Sequence, residues 1–151
     1  MKNEADVKKW LQYSEDDSKS AQYLYNNMRP IPCEIICFHC QQAAEKLIKG
    51  LLVAKGISFA KKHDLLYLIT LYNPNTPVST LLQNACSRLS IHGVNSRYPN
   101  NSSLTEEDAK KAFSDLKHIG NFVKKCFIEI EKEDKKRAKL KKQQNTIITR
   151  S

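Results

Sequence analysis

Apolar residues recur along the chain at spacings of three and four, the period of an amphipathic helix, and no stretch shows the alternation of a half-buried strand. The first stripe runs Val7, Trp10/Leu11, Ala21, Leu24/Tyr25, Met28, with polar interruptions at Ser14 and near Asp17-Ser18. Asn3 is its expected N-cap, Asp6 suits the positive end of the helix dipole, and Arg29-Pro30-Ile31-Pro32 ends it. A second helix is predicted from about Cys33 to Lys55, capped by Gly56, with Ile36/Cys37, Cys40, Ala44, Leu47/Ile48 and Leu51 inward. A shorter helix follows His63-Asp64, turning Leu65, Leu68/Ile69 and Tyr72 inward until Asn73-Pro74-Asn75 breaks it. Thr76-Pro77 offers the next start, with proline at the first helical position. Its stripe is Val78, Leu81/Leu82, Ala85, Leu89 and His92, and Gly93 stops it. Residues 94–104 read as a loop. Thr105-Glu106-Glu107-Asp108 then forms a near capping box, opening a helix whose Ala109, Ala112/Phe113, Leu116, Ile119, Val123, Cys126/Phe127 and Ile130 keep strict helical period.

Only four glycines and five prolines interrupt the 151 residues, which favours long helices over a turn-rich β fold. The fold class is therefore all-α, a bundle of four to five helices over residues 1–131. Past Ile130 the apolar stripe fails, so residues 132–151 are expected to be a frayed or disordered basic tail. That tail holds eight basic residues against Glu133 and Asp134, and so carries most of the net charge of +9. No run approaches the roughly 18 apolar residues that span a bilayer, and the polar start lacks a signal-peptide stretch. A soluble cytoplasmic protein with no membrane partner is the expectation. Cys33, Cys37, Cys40, Cys86 and Cys126 are odd in number, which argues against a disulfide framework. Cys33-x3-Cys37-x2-Cys40 matches an iron–sulfur spacing used by radical S-adenosylmethionine enzymes. Here it falls at i, i+4 and i+7 of a helix, which suits a core face.

The run Phe38-His39-Cys40-Gln41-Gln42-Ala43-Ala44-Glu45-Lys46 resembles the Phe-x-x-Gln-Gln-Ala-x-Glu-Lys signature of HEPN domains, named for proposed nucleotide binding in higher eukaryotes and prokaryotes. Tyr13-Ser14-Glu15-Asp16-Asp17-Ser18-Lys19-Ser20-Ala21 is similar to the family's opening helix, His63-Asp64-Leu65 to its Thr-His-Asp-Leu segment, and Arg97-Tyr98-Pro99 to the Arg-Tyr-Pro before its last helix. The resemblance spans roughly residues 10–127. It implies an up-and-down bundle, usually a homodimer, acting near nucleotides or RNA. Some members accompany a minimal nucleotidyltransferase subunit. Others are metal-independent ribonucleases of toxin–antitoxin type that use an Arg-x4–6-His motif. Here Arg88 and His92 have three residues between them, and no histidine follows Arg97 within that window.

Arg88 and His92, four apart, would share a helical face. Metal-free RNA cleavage through the 2′-hydroxyl would use His92 as general acid–base and Arg88 as phosphate clamp. The structural alternative is a histidine settled near a helix end. Arg97 and Tyr98 suit anion binding and base stacking; otherwise Tyr98 packs and Arg97 caps a helix or pairs with a carboxylate such as Glu45. Gln41, Gln42, Glu45 and Lys49 form a stripe beside the core face, either lining a cleft or subunit interface or serving as a half-buried polar seam. His63 and Asp64 either join that nucleotide- or anion-binding set or simply open a helix. No metal site and no cofactor are expected. Three functional readings follow: a non-catalytic binding module, a metal-independent ribonuclease, and a structural dimerisation scaffold.

Overall fold

The computed structural model describes residues 1–95 and 103–150. Among them lie six helices and no strand: α1 (Glu4–Asn27), α2 (Cys33–Lys55), α3 (Leu65–Tyr72), α4 (Thr80–Ser90), the single turn α5 (His92–Asn95) and α6 (Glu106–Arg150). The expected all-α bundle is the fold.

α1 and α2 form an antiparallel pair whose register is fixed by cross-helix contacts. Lys2 N donates to Ala54 O at 3.2 Å, and Ser14 Oγ donates to Ala43 O at 2.7 Å. Ser14, a polar break in the apolar stripe, is buried because that carbonyl satisfies its hydroxyl. Gly50 sits under Trp10, where an added Cβ would lie 3.2 Å from Trp10 Cβ; the missing side chain lets the two helices close. α6 runs parallel to α2, from Leu104 N donating to Glu34 at 3.1 Å to Glu133 beside Lys55 at 3.7 Å. α3 and α4 pack on the remaining side. α2 is thus the central helix, and Ile36, Ile48, Leu51 and Leu52 on it are fully buried. Each such aliphatic side chain contributes about 1.5–3 kcal/mol by leaving water. All five cysteines are buried and free, and burial pushes the thiols of Cys37, Cys40 and Cys86 up to about 12. The i, i+4, i+7 spacing of Cys33, Cys37 and Cys40 is a core face, and no metal-binding cluster occurs among the described residues.

Several helix ends follow the sequence. Gly56 ends α2 at φ 69, where its N–H donates to Leu52 O and Val53 O. Asp64 caps α3 by accepting from Leu66 N and Tyr67 N at 3.0 and 3.2 Å. Thr105 and Asp108 close a reciprocal box, Asp108 accepting from Thr105 N at 2.7 Å and Thr105 Oγ1 from Asp108 N at 3.3 Å.

Others differ. Asn3 precedes α1, but its side chain donates to Val53 O instead of capping, and its φ is 54. α4 starts at Thr80 rather than at Thr76-Pro77, because Ser79 Oγ accepts from Leu82 N at 3.2 Å and supplies the cap. Met28 and Leu81, expected inward, are exposed; each lies at a helix end where the stripe leaves the core. Gly93 does not stop the fourth helix, which ends at Ser90; it lies buried within α5. The basic segment is helical: α6 continues to Arg150, with residues 135–150 all exposed. Residues 131–150 contain neither glycine nor proline and are rich in Lys, Gln and Arg, so they extend a packed helix without a new nucleation step. No helix of the described residues is long and apolar enough to cross a membrane.

Candidate functional site

On the side of α2 that faces α3, Gln41, Gln42, Glu45 and Lys49 converge with His63, which precedes α3. Glu45 is buried, and its Oε1 takes Lys49 Nζ at 2.9 Å and His63 Nδ1 at 2.8 Å. Gln42 Nε2 donates to Glu45 Oε2 at 3.3 Å and to Gln41 Oε1 at 2.8 Å. Gln41 Nε2 in turn donates to His63 O at 3.3 Å. The ammonium of Lys49 also lies 5.8 Å from the Trp10 ring centre and 5.6 Å from that of Phe59, which holds it in place. The predicted stripe is therefore a saturated polar seam, with His63 as its open edge, its side chain 47% exposed. Gly93 closes the other edge: a Cβ there would fall 2.8 Å from Gln41 Cδ, so any side chain would have to displace the buried Gln41 carboxamide. Asp64, next to His63, spends its carboxylate on the α3 cap.

A second polar centre joins α4 to α6. Arg88 Nε and Nη2 meet Asp115 Oδ2 and Oδ1 at 3.1 and 2.8 Å, a bidentate fork on a carboxylate only 2% exposed. Lys111 Nζ lies 3.8 Å from the same Oδ1. Asp115 was not legible as a site residue, although a lone acid at a buried position of the α6 stripe, between Ala112 and Leu116, is such a signal. A third centre was also missed: Asp17 of α1 receives His39 Nδ1 at 2.9 Å and the Lys46 ammonium, both from α2. Its trace in the sequence is the polar break at Asp17 facing two basic residues seven apart.

The family model of the HEPN domain matches residues 7–126. The chain belongs to the HEPN domain family. Among solved structures, it resembles an archaeal HEPN homologue, ST0689, at 29% identity over 78% of this chain and 94% of that one, with a TM-score of 0.62. It also resembles TT1696 from Thermus thermophilus, at 26% identity over 80% and 97% of the two chains, with a TM-score of 0.68. No curated protein matches the chain.

In this HEPN domain the bond to Asp115 raises the Arg88 guanidinium further above its ordinary value. The guanidinium predicted as a phosphate clamp is thus engaged by a buried partner. His92 belongs to α5, not to the helix that carries Arg88, so the expected single face spans a helix junction. Burial lowers the His92 imidazole below its ordinary value, opposed by the nearby charges of Asp108 and Asp115. Arg97 and Tyr98 lie outside the described residues, and so does the expected pairing of Arg97 with Glu45.

Proposed function

We propose that this HEPN domain is a non-catalytic module that binds a nucleotide or RNA, forms a homodimer and acts beside a minimal nucleotidyltransferase subunit. The observation that carries the non-catalytic reading is the Arg88–Asp115 fork. A phosphate taking Arg88 would have to strip a buried carboxylate of its main partner, a cost of several kcal/mol. The three-residue gap between Arg88 and His92 supports the same reading. For binding, the support is the His63 edge of the seam. There the half-exposed His63 ring, bonded to Glu45 through Nδ1, offers a second hydrogen-bonding edge to a phosphate beside the Lys49 ammonium.

Purified protein incubated with labelled RNA in EDTA should leave the RNA intact. A fluorescent mononucleotide should bind, with affinity reduced about tenfold in His63→Ala, as befits loss of one hydrogen-bonded phosphate contact. RNA cleavage in EDTA that disappears in His92→Ala overturns the non-catalytic reading and favours the ribonuclease. Absence of mononucleotide binding overturns the binding site.

A further inference from the structure

The bundle's last contacts with α6 are made by Glu133, which pairs with Lys55, and by Asp134, which pairs with the Met1 ammonium. From residue 135 to Arg150 every side chain is exposed, so the helix projects roughly 24 Å beyond the bundle at 1.5 Å per residue. At 3.6 residues per turn, Lys132, Lys135, Lys136, Lys139, Lys142 and Arg150 fall within a sector about 120° wide. The only acids of residues 132–150, Glu133 and Asp134, fall outside that sector and are held against the bundle. None of the six basic residues has a carboxylate partner among the described residues. The exposed Lys124 and Lys125 carry the same stripe back onto the solvent side of the bundle.

We infer that the projecting part of α6 is a helical arm that binds the phosphate backbone of a nucleic-acid duplex through this basic face. The segregation of charge is what distinguishes it from a merely soluble helix end: interspersed acids would cancel the field, whereas one-sided cations sum along the axis. A duplex offers a charge about every 1.7 Å, so a row of cations can meet phosphates without reading sequence. The arm carries no aromatic residue, so it lacks the stacking platform that single strands use. Its large apolar residues are only Leu140, Ile147 and Ile148, with Arg137 and Lys141 beside them. That is too narrow an apolar face for a helix lying in a membrane surface. The arm deepens the nucleic-acid association proposed above but uses a surface remote from His63.

The test is fluorescence anisotropy of the full chain with a labelled mixed-sequence RNA duplex of about 20 base pairs across a salt series. Replacing all six basic residues by glutamine should weaken binding at least tenfold at about 50 mM salt and flatten the log–log salt slope by roughly 4. Replacing Arg137 and Lys141, off the face, should cost no more than about threefold. Glutamine preserves helix propensity, and a variant with arginine at the five lysine positions should retain binding. Unchanged affinity and slope in the six-site variant overturns the inference, as does preference for a single strand, or binding to phosphatidylserine vesicles without binding to the duplex. Mononucleotide binding should persist in the six-site variant, so loss of the arm's function and failure of the His63 site are read separately.

Discussion

Replacing Arg88 by alanine leaves Asp115 with a side chain 2% exposed and, among the ion pairs of the described residues, the Lys111 ammonium 3.8 Å away. Breaking a buried pair from one side costs about 3–5 kcal/mol, and the flanking lysine places this case near the lower bound, about 3 kcal/mol. The reverse deletion, Asp115→Ala, has a different consequence. It strands a guanidinium that is 44% exposed and can swing into water, so about 1–2 kcal/mol is expected, chiefly for the lost charge-assisted bonds. The joint replacement Arg88→Met with Asp115→Leu removes both charges and fills the space, and should return to within about 1 kcal/mol of the parent. Urea unfolding followed by helix circular dichroism, at one fixed protein concentration so that self-association does not shift the midpoint, measures all three. The reasoning fails if Arg88→Ala stays within about 0.5 kcal/mol of the parent, the range of an ordinary surface substitution. It fails equally if Asp115→Ala is the costlier change. Either result would release Arg88 from its structural duty and reopen it as a phosphate clamp.

Gly93→Ala should destabilise by about 1–2 kcal/mol, because its Cβ would press on the buried carboxamide of Gln41 at 2.8 Å, outweighing the small gain in helix propensity. Shortening Gln41 to alanine in the same chain should relieve that penalty; a purely additive pair would show that the close approach is not the cause. Burial holds the folded pKa of His92 below the 6.5 of an unperturbed imidazole, so the unfolded chain binds the proton first. Stability should therefore fall as pH drops through and below 6.5 and be insensitive to this group above it. His92→Gln should flatten the stability profile below the 6.5 of the unperturbed imidazole, and an unaltered slope would refute the burial argument.

The order and core faces of the five longer helices were legible because periodicity reports burial, and each stripe has one packed side; the single turn α5 was not. The seam around Glu45 was legible as a stripe but not as a saturated network, since its closing partner His63 comes from another element. Gly93 illustrates the same limit: its position after an apolar stripe suggests a helix stop, while its actual constraint is the Gln41 side chain, far away along the chain. Ser79 was passed over for Thr76-Pro77 because both satisfy the local rule for a helix start, and the packing of Leu82 against the core decides between them. Past Ile130 the loss of apolar period was a true signal of lost burial. It was not a signal of lost helix, because a long packed helix has already met the cost of nucleation.

The charges of the bundle sort into two kinds, and the division bears on where an anion can bind. Asp115 and Asp17 each draw a cation from another helix, so Arg88 and Lys46 act as braces between helices, while Glu45 holds Lys49 within α2. A ligand phosphate could recruit one of these only by exposing a buried or half-buried carboxylate, which opposes binding with the energy of the brace itself. His63 escapes this limit in part, because its half-exposed ring can gain a second partner without leaving Glu45. The six cations of the basic face on α6 escape it, since none of them pairs with a carboxylate among the described residues. The two proposals thus rest on opposite properties of one molecule: for small anions a preorganised pair at the seam, for extended polyanions a one-sided row of charge that pairs with no carboxylate of the described residues.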